Sequence, residues 1–487
     1  MLWVVLPLFV FGAMAFITRG DFLDDAYISF RYARHIQEGH GIVWSIGEAP
    51  IEGFTNFLTT IGSSVLFRLG FSPVGAGYFF AAVGTLLLFV FFGGLARLLN
   101  LGLLGGLAGI LVCAANPHLA GNFSNGLETL LAAGLSAGIL AIAVAIVLQG
   151  ASLGRIAAFC ALGFVGGLTR PDMLILASMT FLPVFFSSWQ ESWKRWLAVI
   201  GAFSLLGITF LGWKLATFGS VLPLPFHVKQ GGLGINADTA LSVVMLVLRF
   251  FPLAALSLFF VDWKEPAQRL AYLTVAIPAA IFAAYHSTVA DPVMGENYRF
   301  FAPIFPHLTV LGLFFIRALP FGPAWRGRVF VALLIPAFII PASYFRDARA
   351  TRQTRENTRY FDIARAIAGH STRPGVLATG EAGVIPYVTD WPHIDLNRLN
   401  HPILAREPER DIEVIFGDGE PDLVFPMTDR RHFEKHYLKE ELTQRGYLYL
   451  GTVTVGTGQM LLLYVHPKKA ERTVVEALRG VVDGARD

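Results

Sequence analysis

The chain has 487 residues, 54% of them hydrophobic and 15% charged, with a formal net charge of +3. A soluble domain carries about 25% charged residues, and so few charges would not cover a water-exposed surface of this size. The composition excludes a soluble or disordered protein, the small charge gives no footprint for nucleic acid, and an integral membrane protein is the expected class.

A spanning helix needs roughly 20 mostly apolar residues. Candidates lie at about 1–17, 74–96, 101–118, 127–148, 155–169, 172–188, 196–213, 240–261, 270–286, 302–317 and 329–345, an expected total of about 11. The first has no small-residue cleavage site before Asp21, so it is expected to be a retained anchor rather than a signal peptide. Residues 55–70 are apolar but interrupted by Arg68 and followed by Gly70 and Pro73; an amphipathic interfacial helix is expected there. Thr169-Arg170-Pro171-Asp172 divides two short spans, and Pro171 marks a break.

These spans sort the loops into two groups. Arg97, Arg155, Lys194-Arg195, Lys264/Arg269 and Arg317/Arg326/Arg328 mark short basic loops, which the positive-inside rule places in the cytoplasm. The first outer loop 18–73, residues 116–126, 169–172, 214–239, 287–301 and the tail after 345 carry the acids, histidines, asparagines and tyrosines. Two features run against this orientation: Arg19, Arg31 and Arg34 follow the first span, and the tail opens with Arg346, Arg349, Arg352, Arg355 and Arg359. Long domains cross largely regardless of charge, so the tail is expected outside. Residues 346–487 differ in composition, with β-like runs at Val376–Thr379, Leu423–Phe425, Leu448–Val455 and Met460–Val465 and helical stretches at Thr358–Ala368 and Lys469–Val482. The expected division is a membrane domain, 1–345, and a small C-terminal α/β domain, 346–487.

The two cysteines, Cys113 and Cys160, lie in apolar runs, so neither a disulfide framework nor a cysteine metal site is expected. The chemistry-bearing residues cluster elsewhere. In Leu23-Asp24-Asp25-Ala26-Tyr27-Ile28-Ser29-Phe30-Arg31-Tyr32-Ala33-Arg34, Asp24 has the position of an N-cap and Gly39 of a C′ residue. Two carboxylates at a helix start serve as cap and dipole partner, as general base, or as ligands for a hard cation such as Mg or Mn. Glu128 opens a span with Asn125 on its face, and an ionisable group entering a bilayer segment points to a site. Arg170 offers a bidentate fork for a phosphate, or else pairs locally with Asp172. The loop with Tyr285, His286, Ser287, Asp291, Glu296, Asn297, Tyr298 and Arg299 reads as a polar ligand site or a solvated loop. Arg249 falls in the middle of an expected span, where it must pair, snorkel or line a wet cavity.

Asp24 to Arg34, then Gly39-His40-Gly41 and Ile51-Glu52-Gly53-Phe54-Thr55-Asn56-Phe57-Leu58, resemble the first outer loop of bacterial GT-C glycosyltransferases. The nearest likeness is to the mycobacterial terminal arabinofuranosyltransferases. Asn125-Gly126-Leu127-Glu128-Thr129, Leu168–Asp172, Gly219–Leu224, Asn297–Phe300 and Asp395–Asn400 follow in the same order. The resemblance implies an α-helical integral membrane enzyme of the plasma membrane with a periplasmic tail. Its expected donor is a polyprenyl-phosphate sugar, such as a pentofuranose, and its expected acceptor a cell-envelope glycan or lipid. The acidic role of the family's first outer loop maps to Asp24, with Asp25 beside it, as base or metal ligand, and Glu128 resembles the second acidic position. Arg170 and Arg299 are the expected phosphate partners. Tyr27, Arg31, His40, Glu52, Asn56, Asn125, Asp172, His286 and Tyr298 are the expected substrate contacts. A divalent cation is expected on Asp24 and Glu128. Two other readings stay open: a lipid or sugar-lipid translocator, supported by Arg249, and a non-catalytic membrane scaffold.

Overall fold

The computed structural model describes residues 2–20, 22–100, 102–228, 234, 236–289, 296–318, 356–417, 419–429, 438–455 and 459–484. The expected span 329–345 and the arginines at the start of the tail before residue 356 lie outside this set.

The apolar runs fold as α1 (Leu2–Thr18), α2 (Asp24–Gln37), α3 (Phe57–Arg68), α4 (Pro73–Leu98), α5 (Gly102–Ala114), α6 (Pro117–Gly121), α7 (Thr129–Gln149), α8 (Leu153–Thr169) and α9 (Met173–Phe218). Then come α10 (Leu224–Val228), α11 (Ala237–Phe250), α12 (Pro252–Ser257), α13 (Pro266–Thr288) and α14 (Phe305–Ala318). Helix starts follow local chemistry: Ser72 and Ser152 cap α4 and α8 by accepting from Gly75 N and Arg155 N, and Asn116 caps α6 ahead of Pro117. By length and composition α4, α7, α9 and α13 are long and apolar enough to cross a membrane.

Two of the expected spans, 172–188 and 196–213, fall within one helix. Helical conformation runs unbroken through the 46 residues of α9. A straight helix of that length would measure about 69 Å, more than twice the roughly 30 Å hydrocarbon core. Yet the Trp196 ring lies 5.4 Å from Phe181 and 5.5 Å from Phe185, and its Nε1 donates to Ser188 Oγ at 3.0 Å. Along a straight helix Phe181 and Trp196 would stand about 22 Å apart. The helix therefore doubles back near residues 188–195, where Ser192 and Arg195 donate to Ala151 O ahead of α8. Two antiparallel limbs result, matching the two spans read separately in the sequence.

The expected span 240–261 is instead broken at Phe251-Pro252. Both ends of α11 sit at one rim of the bundle: Asn236 N donates to Ser287 O at the end of α13, and the Phe251 ring lies 5.2 Å from Phe305 at the start of α14. Helix α11 thus lies along the rim and does not cross the bundle. Arg249, exposed near its end, is not a mid-span charge.

The tail forms a sheet of β1 (Leu377–Thr379), β2 (His393–Asp395), β3 (Leu423–Phe425), β4 (Met427–Asp429), β5 (Leu448–Thr454) and β6 (Gln459–Val465). Strand β1 pairs parallel with β2 and β3, while β6 pairs antiparallel with β3 and β4 on one side and β5 on the other. Short strands β2 and β4, and the helix Val384–Thr389, are too brief to show a period in the sequence. The tail is not merely tethered. Phe22 and, from α2, Ala26, Tyr27 and Phe30 share one apolar core with Tyr360, Leu377, Val384, Trp391 and Leu423 of the tail.

Candidate active site

Every charged group of the cleft stands at one end of the helices. Leu23 N donates to Asn125 O at 3.0 Å, joining the start of α2 to the turn before α7. Gly126 makes this approach workable: its φ is +76°, and a Cβ there would fall 2.4 Å from the Phe22 ring. The turn delivers Glu128 to the N-cap of α7. Arg170 and Asp172 occupy the break between α8 and α9, His286 the last turn of α13, and Arg299 a tight turn before α14.

Together they line a cavity of about 230 Å³ with Asp25, Ser29, Asn56, Tyr285 and Phe300, walled also by Phe54, Phe226 and, from the tail, Leu399. Asp25 Oδ2 accepts from Arg299 at 3.1 Å. Arg170 grips Asp172 through Nε and a second nitrogen and donates a further bond to the Arg299 carbonyl at 3.1 Å. His286 Nε2 lies 3.0 Å from Asp172 Oδ2. Burial would raise the Asp172 carboxyl, but the Arg170 guanidinium and His286 outweigh it and hold it well below the usual range. Both guanidiniums lie over the Phe300 ring, at 5.5 Å for Arg170 and 4.8 Å for Arg299. Glu128 accepts from Asn56 at 3.1 Å, and Asn56 in turn accepts from Ser29 and Thr60. Among the described residues, two buried nitrogens in this set have no hydrogen-bond partner: Arg299 Nε and His286 Nδ1. A buried guanidinium N–H without an acceptor is costly unless a ligand supplies one.

Of the residues expected from sequence, the structure brings together Asp25, Glu128, Arg170, Arg299, Asn56, Asp172 and His286. The others stand outside the cleft lining. Asp24 is not the N-cap of α2, since Leu23 is, and its carboxylate points away to the tail, accepting from Gly383 N at 2.8 Å and Val384 N at 2.7 Å. Arg31 is buried, donating to the carbonyls of Trp44, Pro386 and Trp391. Tyr27 packs among Phe30, Phe361 and Tyr387. His40 is exposed beside Glu38. Glu52 pairs with Lys214 at 2.7 Å, Asn125 bonds Asn122 and Thr129, and Tyr298 packs on His118. The expected cation pair does not fit: Asp24 and Glu128 make separate sets of hydrogen bonds, and among the described residues no three His, Cys, Asp or Glu side chains group as metal ligands. Arg249 lies near Tyr298 at the rim, which removes the one sequence feature that favoured a translocator.

Sequence reasoning missed Lys214 and Phe226, and it placed Tyr285 and Leu399 in candidate segments without giving either a role of its own. Lys214 carried a usable signal, a lone cation in an apolar run. Tyr285 sits directly before His286. Phe226 is an apolar residue of the short helix α10, and no pattern marks it.

A family model described as a domain of unknown function, DUF8728, matches residues 346–466. No curated protein matches the chain. Among solved structures the chain is similar to ArnT from Cupriavidus metallidurans bound to undecaprenyl phosphate, with a TM-score of 0.64 and 13% identity over 96% of this chain and 98% of that one. The same protein in the apo state gives 0.60 and 13% over 95% and 97%. The archaeal oligosaccharyltransferase AglB from Archaeoglobus fulgidus, in complex with an inhibitory peptide and a dolichol-phosphate, gives 0.53 and 11% over 95% and 74%. These proteins are GT-C glycosyltransferase superfamily members, and the chain has their fold: a mostly helical membrane part with a small C-terminal sheet region. The matches show the shared fold and leave the narrower likeness to mycobacterial arabinofuranosyltransferases without support.

Proposed function

We propose that this protein is a membrane glycosyltransferase that moves a sugar from a polyprenyl-phosphate carrier to a hydroxyl of a cell-envelope glycan or lipid, with its cleft on the outer face. The observation that carries the reading is the convergence of Asp25, Glu128, Arg170 and Arg299 on one cavity at the end of the helices, in a fold shared along nearly its full length with a protein bound to undecaprenyl phosphate.

In this reading Arg170 and Arg299 face the donor phosphate, whose oxygen satisfies Arg299 Nε. Asp25 accepts the proton of the acceptor hydroxyl as its oxygen attacks the anomeric carbon. The anomeric C–O bond to phosphate breaks, the glycosidic C–O bond forms, and polyprenyl phosphate leaves with the bonding pair. General-base help of this kind is worth about 10²–10⁴ in rate. Glu128, held by Asn56, orients sugar or acceptor hydroxyls. The placement of Asp24 shifts the base assignment from Asp24 to Asp25. No step is routed through a cation, because the expected pair does not fit one.

Purified protein in detergent with radiolabelled undecaprenyl-phosphate sugars, pentofuranose first, and extracted envelope lipid as acceptor tests the reading. Label transfer that is lost in Asp25→Asn is the expected result. Stoichiometric binding of undecaprenyl phosphate without transfer would favour a translocator, and neither binding nor transfer a scaffold.

A further inference from the structure

The proposed transfer leaves one buried carboxyl unused. Glu381, from the loop after β1, is 3% exposed. Its Oε1 accepts from Tyr360 Oη at 2.9 Å, and its carboxyl lies within hydrogen-bonding reach of the carboxyl of Asp24, itself 5% exposed. Asp24 already accepts the backbone N–H groups of Gly383 and Val384. Two carboxylates in contact, both buried, repel each other unless one holds a proton. Backbone donors favour the charged form of Asp24, so the proton belongs on Glu381, which then donates to Asp24.

We infer that Glu381 is a positioning residue: in its protonated form it donates to Asp24 and locks the tail onto α2, one residue from Asp25. The same contact holds the tail in the place where Leu399 walls the cleft. Packing at Gly383 shows how close the two parts come. A Cβ there would fall 2.0 Å from Asp24 O and 2.3 Å from its Oδ2, so only glycine fits.

The charged and titratable groups acting on the pair are Asp25 on α2 and Tyr360 on the helix Glu356–Ala368. Burial pushes the Asp24 carboxyl up to about 6, against the pull of the Val384 and Gly383 N–H groups, and burial with the neighbouring Asp24 raises Glu381 well above the usual range. Both folded values lie above the free ones. The docked state therefore holds protons that the undocked state releases, and its advantage is full at low pH and lost as pH rises through the raised values.

The lock rests on these contacts and not on the transfer reaction, so its test reads docking. Hydrogen exchange of the Gly383 and Val384 amides, each corrected for its intrinsic rate, is followed in detergent-purified full-length protein from pH 6 to pH 9. Protection in the wild type is expected to fall at least tenfold over that range. Glu381→Gln, which carries an N–H donor at every pH, is expected to keep its protection nearly flat. Glu381→Ala is expected to lose it at all pH values. Wild-type protection independent of pH, or Glu381→Gln as unprotected as Glu381→Ala, would overturn the lock while leaving the transfer reading untouched. The wild-type profile decides the matter even where a variant fails to fold.

Discussion

The two faces of α2 meet opposite surroundings. One face, with Asp25, Ile28 and Ser29, borders the cleft. The other, with Asp24, Arg31 and Arg34, grips the short tail helix Val384–Thr389 at both ends. Asp24 takes the N–H groups at its start, and the two arginines take the carbonyls of Pro386, Tyr387 and Trp391 toward its end. Acid at the positive end of a helix and cations at the negative end are the favourable arrangement. A helix turns about 100° per residue, so consecutive residues do not share a face. The comparison teaches that two adjacent aspartates in one motif face different tasks: Asp24 is taken up by the tail, and Asp25 is left facing the cleft for the proposed chemistry.

The largest expected contrast lies between those two side chains. Asp25→Asn should lower transfer by about 10²–10⁴ while expression and melting stay as in the wild type, read by radiolabel transfer and thermal unfolding. Near-normal turnover in that variant would end the division drawn here. On the cleft side, Arg170→Ala strands the buried Asp172 carboxylate and should cost about 3–5 kcal/mol, measured by denaturant unfolding in detergent. On the tail side, Asp24→Ala leaves two buried N–H groups without acceptors and should cost about 1–3 kcal/mol, with the tail becoming the first site of limited proteolysis. His40, exposed and outside both surfaces, marks the small end: His40→Ala should change stability by no more than about 0.5 kcal/mol and leave transfer unchanged. A large loss there would mean that the cleft extends farther along the first outer loop.

Much of the membrane part was legible because apolar runs long enough to form spans have few alternatives. Helices α1, α4, α7, α8 and α13 stand close to where hydropathy puts them. The failures have physical causes. Residues 240–261 are apolar throughout, and hydropathy cannot tell a helix lying along a rim from one crossing the core; the break at Phe251-Pro252 carries that information locally, and contacts with α13 and α14 complete it. In the tail, β3 and β6 were visible as β-branched and leucine-rich runs, whereas β2 and β4 span three residues each and owe their existence to their neighbours.

By itself the sequence determined the class, most of the apolar helices among the described residues and the short list of polar residues, because composition and hydropathy are sums over local side chains. It also put Asp25, Glu128, Arg170 and Arg299 on that list. Only the tertiary structure decided which of them meet. Asp24 and Gly383, like Asp25 and Arg299, are brought together across hundreds of residues by packing, and the direction in which a carboxylate points depends on what the folded chain sets opposite it.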